Sequence, residues 1–303
     1  HSLQAISGQP ADKDLLLFLT VYLRSKLAKY FLFHTSANWG TERDKILFTE
    51  LLRIPFPLPG SEYVHRNADE IVRQVAQKVR SLKKKIENDA RKQANVLATQ
   101  AWQEDRGRQV EVLQAELEPL IYQYFDLIDQ EIILIEDTVD VAIPSATPGY
   151  LEKPIPSRAR VHRNHIGPYA DGLVKYAGTL SKTLNEWAAQ SKSTVQTSIV
   201  GGVHEKADMV CMTVELTGQT KPFKEKAPSD ETIVAVNNLA QSSTSRVGSL
   251  DYLRGIIVFK GSRIHIFKPT ALIGWTRSAA LNDAAEIYTR IAKARHAMQN
   301  GDV

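Results

Sequence analysis

Apolar residues recur at spacings of three and four near the start of the chain, and this period predicts an amphipathic helix from Asp14 to Phe33. The positions that set the period are Leu16, Leu19, Leu23, Leu27, Tyr30 and Phe31. Asp12 or Asp14 is suited to cap the first turn, because a carboxylate accepts hydrogen bonds from free backbone N–H groups. A polar loop follows Phe33, and a second short helix is predicted to end at the prolines that begin with Pro55.

A second apolar period lies in residues 62–143 and predicts two long helices. Asn67 and Glu70 have the spacing of a capping box at the start of the first helix. Its apolar seam, which is typical of a helix packed along another helix, consists of Val72, Val75, Val79, Leu82 and Ile86. Gly107 is the predicted corner, after which the second helix returns. We therefore expect a long antiparallel helical hairpin that acts as a spacer.

Prolines and glycines interrupt regular structure in residues 144–157, which we interpret as a linker. Beyond it, residues 158–303 show mixed helical and strand patterns. The first is a predicted helix with an apolar face formed by Leu173, Ala177, Leu180, Leu184 and Trp187. Thr194–Val200 and Met209–Leu216 are predicted strands joined by a turn at Gly201–Asp208, and Thr232–Val236 is a further predicted strand.

The clearest hairpin lies on either side of Gly261, which supplies the turn. Asp283 and Glu286 have capping-box spacing, so the last helix is expected to begin at Asp283. The predicted fold class is therefore α+β, with a long antiparallel helical hairpin and a C-terminal antiparallel sheet flanked by helices.

Charge is distributed in blocks along the chain, although the net charge is only +4. Residues 73–92 hold eight basic and two acidic residues, whereas residues 111–140 hold nine acidic residues and no lysine or arginine. Residues 141–303 hold 20 basic and 13 acidic residues. Such blocks can bind nucleic acid or pair with each other, and the sequence leaves both possibilities open.

Cysteine content and hydropathy bear on the cellular location. The single cysteine, Cys211, excludes an internal disulfide framework and is consistent with a reducing compartment. The apolar run Leu15–Leu23 is too short to span a bilayer and is soon followed by Arg24 and Lys26. We therefore expect a cytoplasmic protein with no membrane partner. We also expect His1 to be a tag remnant and the chain to be a fragment of a larger protein.

Five stretches of the chain together resemble a known family. They are Leu-Arg-Ser-Lys (Leu23–Lys26), Ser-Ala-Asn-Trp-Gly (Ser36–Gly40), the proline exit Ile54–Pro59, Tyr122–Glu136 and the string WTRSAALNDA that begins at Trp275. In this order they resemble the C-terminal region of adenine-specific (N-6) DNA methyltransferases of restriction-modification systems, and the first three also resemble Type I specificity subunits. The match departs from the family at Asp126 and Ile128, where a glycine and a threonine are common.

The resemblance implies that residues 1–61 are the tail of a DNA target-recognition domain, followed by the helical spacer, the linker and the α+β module. The implied function is non-catalytic DNA recognition and scaffolding in a bacterial DNA methyltransferase. The chain contains no Pro-Pro dipeptide and no glycine-rich loop before a helix, so it lacks the motifs for S-adenosylmethionine and flipped adenine. We expect this cofactor in a separate catalytic domain of the parent protein.

The expected partners are double-stranded DNA and that missing methyltransferase domain. The candidate DNA-binding residues are Asn38, Arg43, Lys45, Lys83, Lys84 and Arg277. Loop side chains are suited to base edges, whereas lysines on a helix are suited to phosphates. No catalytic, cofactor-binding or metal-binding residues are assigned to this chain, because its histidines and acids do not form a recognised ligand or catalytic motif.

Other interpretations of the same residues stay open. The lysines at positions 83 and 84 can belong to a solvated helix face, and Arg277 can form an internal salt bridge or stack on Trp275. The first sixty residues can be an ordinary amphipathic helix pair with a proline exit. The whole chain can act as a protein-interaction module through its long helices, and an unrecognised enzyme in residues 158–303 is a third possibility.

Overall fold

The computed structural model describes most of the chain and has the predicted α+β class. The described residues are 6–36, 46–92, 100–146, 156–161, 171–191, 193, 196–243 and 255–300. They form two compact units, His1–Pro148 and Gly149–Val303.

The first unit is helical. Its helices are α1 (Lys13–Tyr22), α2 (Lys26–Thr35), α3 (Phe48–Leu51), α4 (Ala68–Lys92), α5 (Gln100–Tyr124), α6 (Asp129–Asp137) and α7 (Ile143–Ala146). A π-helical turn, Thr138–Ala142, joins α6 to α7. Asp126 adopts a left-handed φ of 52° in the turn between α5 and α6.

The prediction of one helix from Asp14 to Phe33 is wrong, because the chain breaks between α1 and α2. Ser25 stops the first helix and starts the second: its hydroxyl accepts a hydrogen bond from the Ala28 N–H at 3.2 Å. The break also changes which residues are buried, and the fully buried side chains of the two helices are Phe18, Val21, Tyr22, Ala28 and Leu32.

The core of the first unit lies between α1, α4 and α5. Val72 and Val75 of the predicted seam are buried in it, and Val79 packs at its edge. The proline segment is fixed on the same core, since the Tyr22 hydroxyl donates to the Pro55 carbonyl at 2.8 Å. The Tyr124 hydroxyl donates likewise to the Pro57 carbonyl at 2.7 Å.

Gly107 is not the corner of a hairpin, because it lies inside α5. The start of α4 nevertheless lies beside the end of α5: the His65 N–H donates to the Tyr124 carbonyl at 2.9 Å, and Lys78 pairs with Glu116. The turn between the helices falls in residues 93–99, which lie outside the described residues. The continuous hairpin therefore stays a prediction.

The second unit combines a sheet with three long helices. Its elements are α8 (Gly172–Gln190), β1 (Gln196–His204), β2 (Met209–Thr217), β3 (Lys224–Glu225), α9 (Asp230–Ser243), β4 (Ile256–Lys260), β5 (Arg263–Pro269) and α10 (Arg277–Asn300). The strand order is β3-β1-β2-β5-β4. The expected antiparallel sheet is in fact mixed, because β3 pairs with β1 in parallel while the other pairs are antiparallel.

The predicted strand at Thr232–Val236 is wrong, since these residues belong to α9. Ile233 and Val236 are buried, whereas Val234 between them is 57% exposed. Burial at a spacing of three is the period of a helix and not of a strand. The β-branched side chains favoured the strand prediction, and packing against the sheet overrides that preference.

Two turns also differ from the prediction. Gly201 and Gly202 lie inside β1, and the turn after β1 is confined to Glu205–Asp208, where Asp208 has a left-handed φ of 50°. The hairpin at Gly261 is as predicted, with a φ of 58°. The last helix begins at Arg277 and not at Asp283, because the Thr276 hydroxyl accepts a hydrogen bond from the Ala279 N–H at 3.1 Å.

Helices cover both faces of the sheet. The predicted apolar face of α8 is confirmed, with Leu173, Ala177, Leu180 and Leu184 buried. On the opposite face, Val236 of α9 packs with Cys211 and Phe267. Cys211 is therefore a core residue, and its burial raises the pKa of the thiol to about 11.

Candidate nucleic-acid interface

Three of the predicted DNA-binding residues, Asn38, Arg43 and Lys45, lie outside the described residues. The other three are described. Lys83 and Lys84 are exposed on α4 in the first unit, whereas Arg277 is half-buried at the start of α10 in the second unit. Arg277 makes an interaction within the chain, so its side chain is not free for a ligand.

Four of the six cations on α4 whose side chains the structure describes are paired with acids of the same unit. Arg73 pairs with Glu70 at 3.1 Å, and Lys83 lies 3.9 Å from Glu87. The remaining pairs connect α4 to other helices and are Lys78 with Glu116 and Arg80 with Asp14. Part of the basic block is thus neutralised inside the unit, and of these pairs Lys78–Glu116 joins it to the acidic block of residues 111–140.

Lys84 and Lys85 differ from these residues. Both are exposed, and no acid in the described part of the chain lies within ion-pair distance of either side chain. Lys85 also lines a groove of about 570 Å³ between α4 and α5, together with Gln77, Ser81 and Leu82. Because three consecutive helical residues spread over about 200° of the helix surface, Lys83, Lys84 and Lys85 do not form one flat patch.

A second groove, of about 600 Å³, lies beside the junction of α1 and α2. Its wall carries Arg24 and Lys29, and its buried floor carries Glu118 and Tyr122 of α5. The Lys26 backbone N–H donates to Glu118 Oε1 at 2.6 Å. The charged acid therefore lies at the start of α2, where the helix dipole favours an anion.

Burial shifts both titratable groups of this floor. It raises the pKa of Glu118, although hydrogen bonds from the Lys26 N–H and Gln114 oppose the shift. It also raises the pKa of Tyr122, and the nearby charge of Glu118 adds to that effect. A carboxyl group with a raised pKa in a groove can serve as a general acid. Here the hydrogen bonds assign Glu118 a structural role, which is to hold α2 against α5.

The second unit contains a buried polar cluster around the string that begins at Trp275. Lys268 pairs with Asp283, and their side chains are only 11% and 9% exposed. The Tyr176 hydroxyl donates to the same carboxylate, and the Lys268 ammonium lies 5.5 Å from the centre of the Trp275 ring. The Trp275 indole N–H donates to the Pro269 carbonyl at 2.7 Å. We name these residues, Tyr176, Lys268, Trp275 and Asp283, the buried polar cluster.

The polar groups of this cluster are mutually satisfied, and the Lys268 ammonium also donates to the Gly274 carbonyl at 3.2 Å. Burial and the Asp283 charge raise the pKa of Tyr176 well above its usual value. The geometry therefore fits a structural connection between β5, α8 and α10 better than a catalytic site. Among the described residues, no group of three or more histidines, cysteines and acids is arranged to hold a metal ion.

Sequence analysis missed a group of lysines at the opposite edge of the sheet. Lys221, Lys224 and Lys226 are exposed around β3. The available signal was the density of three lysines in the six residues 221–226. Glu118 and the Lys268–Asp283 pair had no such signal, because their partners are distant in sequence.

Comparisons with protein-family models, curated proteins and solved structures found no match to this chain. Among the described helices, none has both the length and the apolar composition that a membrane crossing requires.

Proposed function

We propose that this chain is a non-catalytic DNA-recognition and scaffolding part of an adenine-specific DNA methyltransferase from a restriction-modification system. The resemblance of the five stretches supports the family, and the exposed lysines of α4 support the contact with DNA. In this proposal, S-adenosylmethionine binds to a separate catalytic domain in a cytoplasmic parent protein. The loop residues Asn38, Arg43 and Lys45 stay candidates for base contacts.

The observation that carries the DNA contact is the contrast between paired and unpaired cations on α4. A lysine that already faces a carboxylate gains little from a phosphate, since the phosphate must compete with the acid. Lys84 and Lys85 have no such competitor among the described residues, so they are the α4 side chains best suited to a DNA backbone. Of the two predicted lysines on this helix, Lys84 is therefore retained as a DNA contact and Lys83 has a smaller role. Lys85 is added to the set.

The helices α4 and α5 are proposed to form the antiparallel spacer hairpin. The contact of His65 with Tyr124 and the pair of Lys78 with Glu116 support this arrangement, because both bring the start of α4 to the end of α5. A spacer of this kind would hold the lysines of α4 on a rigid element.

The test is binding of the purified chain to random duplex DNA, measured by fluorescence anisotropy at several salt concentrations. Changing Lys84 and Lys85 to Gln is expected to reduce the slope of log affinity against log salt by about 0.9 for each lost phosphate contact. The matched control changes Arg73 and Arg108, which pair with Glu70 and Asp105 in the same unit. This control removes as much positive charge as the K84Q/K85Q variant, and it should leave the salt slope almost unchanged.

Absence of DNA binding even at low salt would refute the DNA-recognition proposal. Equal slopes for the K84Q/K85Q variant and its control would refute the contact assigned to α4 while leaving DNA binding to other residues.

The alternative function is assembly with a protein partner. The predicted seam on α4 does not favour it, because Val72 and Val75 are already buried inside the first unit. A different surface does favour it: Leu47, Phe48 and Leu52 are each more than half exposed around α3. Sedimentation of the wild-type chain and of a variant with Leu52 changed to Ser tests this function. If this apolar surface forms the interface, the mass of the sedimenting complex should fall in the variant.

A further inference from the structure

The β3 edge of the sheet carries a short row of lysines that no described acid neutralises. Lys221, Lys224 and Lys226 are all exposed, and none lies within ion-pair distance of a carboxylate in the described residues. By contrast, Lys175 and Lys182 on α8 pair with Asp171 and Glu186. The row is therefore a net positive surface within a unit whose other exposed cations are often paired.

The backbone holds residues 224–226 of this row in an extended conformation. Val200 pairs with Lys224, and the Lys226 N–H donates to the Gly201 carbonyl at 2.9 Å. Alternate residues of an extended chain point to opposite sides, so Lys224 and Lys226 share one side while Glu225 faces the other. In agreement, both lysines are exposed and Glu225 is half-buried with an interaction of its own.

The glycine pair in β1 explains why the row lies so close to the sheet. A Cβ atom at Gly202 would lie 3.0 Å from the backbone carbonyl carbon and oxygen of Lys226. A side chain at this position would require the lysine-bearing segment to shift by a few tenths of an ångström, so Gly202 allows its close approach to β1. The row is thus part of the sheet edge and not a free loop.

The turn after β1 carries Lys206 between Glu205 and Asp208, so it adds no net positive charge at this end. Lys206 is exposed, and the pKa of Asp230 is lowered first by its hydrogen bond with His204 and then by the Lys206 charge. Asp230 is already bonded to His204 at 2.6 Å, which reduces its ability to neutralise the row. Asp230 therefore has a partner, whereas the three lysines of the row have none among the described residues.

We propose that Lys221, Lys224 and Lys226 form a contact surface for the phosphate backbone of duplex DNA. Residues two apart in a strand are separated by about 6.7 Å. This is close to two steps of about 3.4 Å along one DNA strand, so Lys224 and Lys226 can meet every second phosphate of that strand. The contact is independent of base sequence. It rests on the proposed function for the choice of DNA, and it assigns a role to a region that the family resemblance does not cover.

The test compares two charge-matched variants of the full chain in the anisotropy titration with random duplex DNA. Changing Lys221, Lys224 and Lys226 to Gln is expected to reduce the salt slope by up to about 2.7, at about 0.9 for each phosphate contact. The control changes Lys175, Lys182 and Arg263 to Gln. These side chains are exposed and pair with Asp171, Glu186 and Glu215, and they carry the same total charge.

Circular dichroism must first show that both variants keep the wild-type helix content and melting temperature, as expected for exposed side chains. A salt slope equal to that of the control would overturn the inference. Loss of binding to vesicles with anionic lipid, with no change in DNA binding, would also overturn it and would identify a lipid surface instead.

The K84Q/K85Q variant separates this inference from the proposed function. If the β3 variant keeps the wild-type slope and the α4 variant does not, the inference fails and the proposed function stands. If the β3 variant alone loses slope, the inference stands and the α4 contact fails. If the wild-type chain does not bind DNA, both fail.

Discussion

Replacing Lys268 by Met is expected to destabilise the second unit strongly, because it leaves Asp283 buried without its cation. The Asp283 side chain is 9% exposed, and after the change only the Tyr176 hydroxyl of the cluster still donates to it. Removing one partner of a buried ion pair typically costs about 3–5 kcal/mol in unfolding free energy. The retained hydrogen bond places the expected loss near the lower end, at about 3 kcal/mol.

Urea unfolding followed by tryptophan fluorescence measures this loss. Trp275 is fully buried against the ion pair and will report directly on it. The chain has four tryptophans, so a background with Trp39 and Trp102 changed to Phe leaves only the two of the second unit, Trp187 and Trp275. The matched control is Lys293 to Met, which removes an exposed lysine on α10 and should change stability by less than about 0.5 kcal/mol.

A double-mutant cycle with Asp283 to Asn tests whether the effect belongs to the pair. The K268M/D283N variant should be destabilised less than the sum of its single variants, by about 1–3 kcal/mol, because it removes both charges together. Similar small losses for K268M and K293M, or an additive cycle, would refute the structural role assigned to the buried polar cluster.

Three further predictions concern single positions. Burial raises the pKa of Glu118 above 4.5, so its contribution to stability is full below that pH and decreases as the pH rises through the raised value. The E118Q variant should therefore show a flatter dependence of melting temperature on pH, and an unchanged profile would contradict the buried position. The contribution of His265 to stability depends on pH in the opposite direction. Burial, then the charges of Arg263 and Lys260, lower its pKa, so its contribution to stability is full above pH 6.5 and decreases as the pH falls through the lowered pKa. The H265Q variant should not show this loss of stability at acid pH. If the full loss persists in the variant, another titratable group causes it. Finally, Gly201 to Ala should destabilise by about 1–3 kcal/mol, because its Cβ would lie 2.3 Å from a backbone oxygen. Gly107 to Ala, which meets nothing within 4 Å inside α5, should stabilise by about 0.5–1 kcal/mol. Urea unfolding measures the change in unfolding free energy for each variant. Equal changes for the two variants would contradict the close contact at Gly201 and the open space at Gly107.

Elements fixed by local pattern were predictable from the sequence. The apolar face of α8 and the hairpin at Gly261 were predicted, since a regular period and a turn glycine are each contained in a few residues. The α+β class followed from several such patterns. The α1–α2 break was missed because it depends on Ser25 and on Glu118, whose carboxylate accepts from Lys26 across 92 positions of sequence.

The strand prediction for Thr232–Val236 failed for a related reason. A run of β-branched residues has a weak local preference for strand, and the sheet packs against Ile233 and Val236 only if they share a helix face. The parallel pairing of β3 was equally hidden, because a strand of two residues has no period of its own. Its position depends on Gly202, which gives no strand signal in the sequence.

The candidate interface shows how three-dimensional pairing changes the meaning of a charge run. In the sequence, the lysines of residues 83–85 stand out and those of residues 221–226 do not. In the fold, Lys83 faces an acid one turn away, whereas the acid within the second group points to the other side of an extended chain. A strand separates lysines from an intervening glutamate, while a helix brings charges four residues apart together. The secondary structure around a basic run therefore decides how many of its cations stay available to phosphate, and a count of charges along the sequence does not.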